Sequence, residues 1–329
     1  MIGSTRLTAL VVLAELHLIT VVWLPALTIR NSIKDKMKST QLKNDYQLWL
    51  CILILVSCYA FLTPALWKHA GTDWNGSLAP AARLLLAGKN PYLPTLSLEV
   101  PGTMTPPFYN PIWVLLPMIP LALLPHWLGL ILMYALTLAA YIFLGIQMKA
   151  KPLALTAFLL SPAVLLSFHQ LNIDAFVLLG FLLPAPIGLF FAIAKPQIGI
   201  GMILYWLIEA WRLGGIRKVI ITFAPVTISL AITFILYGNW FSTVNGAGVV
   251  NAVWNYSIFP WGIPIGAILL YLAFQVKKKY LGASSGPFLT PYLGLYSWLA
   301  ALVGFFEDDR WMLVAVILMW IYVALRGGY

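Results

Sequence analysis

Long apolar runs separated by short polar segments make up most of the chain. Many runs approach the roughly 20 residues that an α-helix needs to cross the hydrocarbon core of a bilayer. None shows the alternation over about 10 residues that is typical of an outer-membrane β-barrel strand. The pattern predicts an all-α, polytopic transmembrane helical bundle with about eleven spans, at 7–29, 46–67, 108–124, 127–147, 152–168, 174–194, 196–210, 218–237, 260–276, 287–305 and 311–325.

One polar segment, residues 67–111, is much longer than the others. It contains an acid, Asp73, just past the second predicted span. The stretch 77–88 has the composition of a short amphipathic helix at the membrane interface. Two proline- and tyrosine-containing elements follow it, at 90–92 and 106–111. We therefore expect the distinctive chemistry of this protein to lie in its first large loop.

The basic residues predict which way the loops face. Five of them lie between Arg30 and Lys43, which places that loop in the cytoplasm, the N-terminus outside and the 67–111 loop outside. The same scheme puts Arg326 and the C-terminus in the cytoplasm. Lys149 and Lys151 then fall outside, against the usual rule. A re-entrant segment between 111 and 195, where Pro184 and Pro186 interrupt a predicted span, would reverse that placement.

Composition excludes several classes of protein. Hydrophobic residues make up 61% of the chain and charged residues only 9%, against about 25% charged in soluble domains. The net charge of +10 comes mainly from short loops, so we expect a lipid bilayer as partner and no nucleic acid. No metal or cofactor spacing occurs. We interpret 1–329 as one transmembrane domain, with 1–45 an additional anchor helix plus cytoplasmic basic loop and 46–325 the helical core.

Two charged residues carry candidate chemistry, and each has an ordinary alternative. Asp73 is placed to accept a proton from a substrate hydroxyl, or else to cap a helix in solvent. Lys195 is placed to bind a phosphate, or else to extend towards lipid headgroups. Asp174 belongs to a dense polar group at 169–174, where we expect it to be structural.

The order of several short motifs resembles glycosyltransferase family 87, of the GT-C class. The motifs are Asp73-Trp74, Ala82-Arg83, Gly88-Lys-Asn-Pro-Tyr92, Phe108-Tyr109-Asn110-Pro111, Ser161-Pro162, Gln170-Leu-Asn172, Lys195-Pro196-Gln197 and Pro291-Tyr292, spread over about 46–300. The resemblance implies an integral protein of a bacterial plasma membrane that transfers a sugar, as mannosyltransferases do. The donor would be a polyprenyl-phosphate-linked sugar, the acceptor a lipid, glycan or protein hydroxyl, and the anomeric carbon would be inverted.

The resemblance also implies roles for individual residues. Asp73 would be the general base, and Lys195, with Arg83 second, would lie near the lipid phosphate. The other polar residues of the shared motifs would bind substrate: Asn90, Tyr92, Tyr109, Gln170, Asn172 and Gln197. No metal ion or cofactor is implied.

Two other functions fit the sequence. A secondary transporter would use broken helices near the middle of the membrane, and the prolines at 184 and 186 together with Asp174 suit it. A catalytically inactive membrane scaffold would tolerate replacement of Asp73.

Overall fold

The computed structural model describes residues 70–93, 108–240 and 253–326. The predicted spans 7–29 and 46–67, with the basic loop between them, lie outside these residues. Within them every regular element is helical, which confirms the all-α prediction. The α-helices are α1 (Ala79–Leu86), α2 (Ile119–Ala122), α3 (His126–Gln147), α4 (Pro152–Leu159), α5 (Pro162–Gln170), α6 (Asp174–Gly180), α7 (Ala185–Ala194), α8 (Pro196–Tyr237), α9 (Ile263–Gln275), α10 (Lys279–Ser284), α11 (Leu299–Leu302) and α12 (Asp309–Leu325).

Shorter helical turns complete the described chain. A π-helical turn, Trp74–Leu78, leads into α1. Turns of 3-10 helix lie at Ile112–Met118, Gly286–Phe288, Leu295–Trp298 and Val303–Phe305.

Two of these helices, α3 and α8, are long and apolar enough to cross a membrane, and the bent pair α4–α5 makes a third if it is counted as one span. The bend between α4 and α5 is 56°. It lies where Pro162 begins α5 and the Ser161 side chain accepts a hydrogen bond from the Val164 amide at 3.3 Å. Within the described residues the structure thus supports fewer full-length spans than the apolar pattern predicts, because proline and glycine divide the runs.

Helix α8 covers two predicted spans. Its helical geometry is interrupted at Gly214 and Gly215, where Gly215 has a φ of 57°, in the left-handed region that favours glycine. The two halves of α8, 196–213 and 216–237, correspond to the predicted segments 196–210 and 218–237.

One end of the helical bundle carries most of the lysines, and we call it the lysine face. The Lys151 amide donates to the Phe306 carbonyl at 2.9 Å, which joins the start of α4 to the segment before α12. The Lys278 ammonium contacts the Glu307 carboxylate at 2.8 Å, which brings the end of α9 to the same place. The break in α8 is there as well, because the Arg212 guanidinium lies 4.4 Å from the Phe274 ring centroid.

The opposite end contains Asp73, and we call it the Asp73 face. The Gly71 amide donates to the His169 carbonyl at 2.7 Å, at the end of α5. The Asn110 side chain donates to the Ala194 carbonyl at 2.8 Å, at the end of α7. The contacts made by Asn255 extend this face: its side chain donates to the Pro291 carbonyl at 3.0 Å, and its carbonyl accepts from the Arg326 guanidinium at 3.0 Å.

The prediction that 108–124 is a span is wrong. Asn110 lies at the Asp73 face, and the Ala122 carbonyl accepts a hydrogen bond from Arg83 of α1 at 2.9 Å. The segment therefore begins and ends on the same side as the loop that precedes it. The 3-10 helix of this segment contains Pro117, and the apolar run is accordingly divided into a short 3-10 helix and the four-residue helix α2.

The prediction of one span at 174–194 is also wrong, because α6 and α7 form a helical hairpin that turns at Pro184. The Phe181 carbonyl accepts from the Lys279 ammonium at 2.9 Å, so the hairpin points towards the lysine face. Asp174 and Lys195, at its two ends, meet at the Asp73 face. The structure thus agrees with a re-entrant segment between 111 and 195. Because 108–124 already returns to the Asp73 face, α3 ends at the lysine face, and the placement of Lys149 and Lys151 on the same side as Asp73 is wrong.

The placement of Arg326 opposite the 67–111 loop is wrong too. Residues 279–293 return from the lysine face to the Asp73 face through α10 and a 3-10 turn, and 295–306 then go back. Helix α12 consequently starts at the lysine face, where Asp309 accepts from the Ala154 amide at 3.0 Å, and ends at the Asp73 face. The apolar pattern merged two short crossings into one predicted span.

Candidate functional site

Asp73 is fixed in position by the residues on either side of it. Gly71 has a φ of 75°, a backbone conformation that suits glycine, and its amide is bonded to the His169 carbonyl at 2.7 Å. Trp74 begins the π-helical turn and is buried in the core. The anchored glycine and the buried indole hold the partly buried Asp73 beside the end of α5.

The hairpin of α6 and α7 brings a second carboxylate and a cation to the same place. Asp174 is fully buried, and its Oδ1 accepts a hydrogen bond from the Lys195 ammonium. The ammonium also lies 4.2 Å from the ring centroid of Tyr296. A buried charge without a counter-charge is costly, so removing either partner would destabilise the junction between the two ends of the hairpin. The pair also holds the Lys195 ammonium inside the protein, where only 12% of the side chain is exposed.

A third part of the chain, between α10 and α11, contributes aromatic hydroxyl groups. Tyr292 interacts with the side chains of Tyr296 and Trp254, and it lies within electrostatic range of both Asp73 and Asp174. Tyr109 in turn lies within electrostatic range of Tyr292 and is 37% exposed. Within the Asp73 face, two acids, one lysine and three tyrosines from distant parts of the sequence thus lie near one another. We call them the charged cluster: Asp73, Tyr109, Asp174, Lys195, Tyr292 and Tyr296.

The surroundings of Asp73 change its acidity. Burial raises the pKa of Asp73 to about 6, with the positive charge of Lys195 opposing this and the negative charge of Asp174 adding to it. A carboxyl group with a pKa of about 6 is mostly ionised at pH 7 and is a stronger base than a solvated aspartate. Asp73 is consequently suited to accept a proton near neutral pH.

Several buried polar atoms around these charges have no hydrogen-bond partner within the described part of the protein. Buried polar groups are almost always hydrogen-bonded, so this unused capacity is typical of a place where solvent or a polar ligand binds. Asn172 lies two positions before Asp174 and Gln197 two positions after Lys195, while Gln170 lies four positions before Asp174. The atoms are Gln170 Oε1, Asn172 Nδ2 and Gln197 Oε1.

Three predicted substrate-binding residues have structural partners instead. Arg83 Nε donates to the Ala122 carbonyl at 2.9 Å. The Asn90 side chain accepts from the Tyr92 amide at 2.9 Å and so closes a local turn. The Tyr92 hydroxyl donates to the Asn110 carbonyl at 3.1 Å, and its ring stacks on Trp240 with centroids 5.3 Å apart. Their predicted contact with substrate stays a prediction.

The other predicted site residues gather around the charged cluster. Asp73 and Lys195 lie in it, and Gln170, Asn172 and Gln197 flank it in the chain, with Tyr109 at its edge. Asn172 also has a structural role, because its Oδ1 accepts from the Ser167 hydroxyl at 2.7 Å and the Asp174 amide at 3.1 Å.

Sequence reasoning missed the direct partners of Lys195. Asp174 was predicted to be structural and was assigned no role at the site. A signal was present, because Asp174 and Lys195 stand at the two ends of an apolar run that prolines interrupt, which is compatible with a hairpin whose ends meet. Tyr296 and Ser297 lie inside an apolar run, and nothing in their spacing distinguishes them from interface residues.

Among the described residues, no group of three or more histidine, cysteine, aspartate or glutamate side chains is arranged to hold a metal ion. Comparison of the chain with protein-family models, with curated proteins and with solved structures finds no match.

Proposed function

We propose that the protein is a membrane glycosyltransferase of the GT-C type, which transfers a sugar from a polyprenyl-phosphate-linked donor to an acceptor hydroxyl at the Asp73 face. The observation that supports this most is that Lys195 lies within electrostatic range of Asp73 in one partly buried polar cluster, although the two residues lie far apart in the sequence. A base for the acceptor and a cation for the departing phosphate are the two groups that such a transfer needs.

In the proposed reaction Asp73 accepts the proton of the acceptor hydroxyl. The oxygen attacks the anomeric carbon from the side opposite the phosphate, and the bond between that carbon and the phosphate oxygen breaks with inversion. The electron pair leaves on the lipid phosphate, which Lys195 stabilises electrostatically. The free amide atoms of Gln170, Asn172 and Gln197 supply hydrogen bonds for sugar hydroxyls, and Trp254 and Tyr292 offer ring faces.

In this proposal the segments 7–29 and 46–67 add two further spans, and the Asp73 face is non-cytoplasmic. The donor lipid lies between helices with its phosphate near Lys195. A lipid, glycan or protein hydroxyl is the acceptor, and a mannose-type sugar is the donor class that the family resemblance suggests.

The test is transfer by the purified protein from a shortened polyprenyl-phosphate mannose, comparing Asp73→Asn with wild type. General-base catalysis contributes about a hundred- to ten-thousand-fold, so we expect transfer to fall by about that factor while the melting temperature changes little. Wild-type transfer should also rise with pH through about 6, because protonated Asp73 is inactive.

A matched control is Asp308→Asn. Asp308 lies at the lysine face and caps α12 by accepting from the Arg310 amide at 3.0 Å, a role that asparagine also fills well. Near-wild-type transfer by the Asp73→Asn protein would refute the proposed role of Asp73.

A secondary transporter is the second candidate, favoured by the broken hairpin of α6 and α7 with a buried ion pair joining its two ends. Reconstituted vesicles distinguish the two functions. A transporter moves a labelled solute across the bilayer without forming a new glycosidic bond, whereas a transferase forms the bond in detergent, where no compartments exist. If neither activity is found and Asp73→Asn is silent in cells, the scaffold interpretation is favoured.

A further inference from the structure

A small cavity opens at the lysine face, on the side of the molecule away from Asp73. Its volume is about 160 Å³. It lies between the end of α3, the segment that joins α9 to α10, and the residues that precede α12. Lys277, Lys278 and Lys279 line it together with Glu307, and Met148, Val303 and Phe306 are among its apolar walls.

The cavity has both a charged and an apolar part. Met148, Val303 and Phe306 are buried core residues, so the inner wall is apolar. Three lysines and one glutamate give the lining a net positive charge when all four are ionised. The Lys278 ammonium contacts Glu307 at 2.8 Å, and the Lys279 ammonium donates to the Phe181 carbonyl at 2.9 Å. The Lys278 side chain is thereby held at the cavity beside Glu307, whereas the Lys279 ammonium is bonded to a carbonyl that is not part of the lining.

Two lysines, one in the lining and one next to it in the chain, follow helix ends in an unusual backbone conformation. Lys149 and Lys277 end α3 and α9 in the left-handed conformation, with φ of 56° and 54°. Glycine is the usual residue at this position of a helix end, and a lysine there costs backbone strain. Lys277 lines the cavity, and Lys149 directly follows the lining residue Met148.

We propose that this cavity binds the headgroup of an anionic phospholipid. The ammonium groups of Lys277 and Lys278 would contact the phosphodiester, and the apolar wall would contact the adjoining glycerol and first acyl carbons. A free phosphate ion would use only the charged part of the lining, whereas a lipid matches both parts. The proposal does not depend on the glycosyltransferase function, because the cavity and the Asp73 site lie at opposite faces.

The test is native mass spectrometry of the full-length protein in a neutral detergent. Phosphatidylglycerol, phosphatidylcholine with the same acyl chains, and inorganic phosphate are each titrated. We expect phosphatidylglycerol to bind at least several-fold more tightly than phosphatidylcholine. One basic residue near an anionic lipid is worth about 1 kcal/mol, so Lys277→Gln should weaken phosphatidylglycerol binding about fivefold.

Two further variants test whether the site is specific. Lys218→Gln removes the same charge from an exposed position at the lysine face outside the cavity, and it should leave the affinity within twofold of wild type. Glu307→Gln removes the carboxylate that competes for Lys278 and should strengthen binding. The proposal would be overturned if Lys277→Gln and Lys218→Gln lost phosphatidylglycerol affinity equally. It would also be overturned if both lipids bound equally tightly, or if inorganic phosphate bound as tightly as phosphatidylglycerol.

Discussion

The ion pair of Lys195 with Asp174 sets the electrostatics of the Asp73 site. With Asp73 and Asp174 ionised and Lys195 protonated, the three groups carry one net negative charge, which opposes the entry of a phosphate. A phosphate must therefore draw the Lys195 ammonium away from Asp174, or Asp174 must take up a proton. Besides Asp73 and Lys195, the titratable groups within electrostatic range of Asp174 include Tyr292 and Tyr296. Asp174 is thus part of the site and is unsuitable as a structural control.

Replacing Asp174 should show whether its carboxylate and the donor phosphate compete for Lys195. Asp174→Asn leaves Lys195 buried without its counter-charge, so we expect the melting temperature to fall, since breaking one side of a buried pair costs about 3–5 kcal/mol. A shortened polyprenyl-phosphate mannose should then raise the melting temperature more than it does in wild type, because the phosphate replaces the lost carboxylate.

Substitutions of Lys195, alone and together with Asp174, test whether Lys195 binds the donor phosphate. Lys195→Gln should abolish the rise in melting temperature caused by the donor and should itself destabilise the protein, because it leaves Asp174 buried and unpaired. The double variant Asp174→Asn/Lys195→Gln has a neutral pair and should recover stability without recovering the response to donor. A donor effect that is smaller in Asp174→Asn than in wild type would contradict the competition.

At the scale of elements, the position of the hairpin depends on close backbone contact with α8. A Cβ atom added at Gly199 would lie 2.0 Å from the Ala192 carbonyl oxygen, and one at Gly188 would lie 2.4 Å from the Trp206 ring. Small residues at these positions allow α7 and the first half of α8 to lie side by side. The resulting turn at Lys195 directs its side chain to Asp174.

Gly199→Ala should therefore lower stability by about 1–3 kcal/mol, the usual cost of overpacking a buried contact. We also expect weaker donor use, because Lys195 is displaced with the turn. Thermal unfolding in detergent and the transfer assay measure the two effects. The control is Gly76→Ala, where an added Cβ meets nothing within 4 Å and where stability should change by no more than about 0.5 kcal/mol. Equal melting temperatures for the two variants would contradict the packing argument.

At the scale of the whole molecule, the two faces differ in charge. Of the thirteen lysines and arginines in the described residues, nine lie at the lysine face: Lys149, Lys151, Arg212, Arg217, Lys218, Lys277, Lys278, Lys279 and Arg310. The other four, Arg83, Lys89, Lys195 and Arg326, lie at the Asp73 face. Because cytoplasmic loops are enriched in basic residues, this bias predicts a cytoplasmic lysine face and a non-cytoplasmic Asp73 face.

Single cysteines test that orientation in a background in which Cys51 and Cys58 are replaced by serine. An impermeant thiol reagent should label Trp254→Cys and Arg326→Cys in intact cells. It should label Lys149→Cys and Lys218→Cys only after the membrane is permeabilised. Labelling of Lys149→Cys together with Arg326→Cys in intact cells would show that the two faces are assigned wrongly.

The sequence alone determined the helical class and the positions of the longest described helices, and it marked two candidate residues of the site. Apolar runs and their glycine and proline breaks are local features, so they predicted α3, the amphipathic helix α1 and the separation of α8 into two segments. Charged residues near the ends of such runs marked Asp73 and Lys195 as candidates, and the family resemblance implied their roles. The basic loops are also local, and they identified Lys277 to Lys279 as one end of the molecule.

Only the tertiary structure decided which runs cross from one face to the other and which groups meet. An apolar run shows that a segment avoids water but does not show whether it crosses or turns back, and both 108–124 and 174–194 were misjudged for this reason. The partnership of Lys195 with Asp174 and Tyr296 arises from the packing of α5, the α6–α7 hairpin and the turn at Leu295–Trp298. Contacts between residues so distant in sequence depend on packing, which local pattern does not encode.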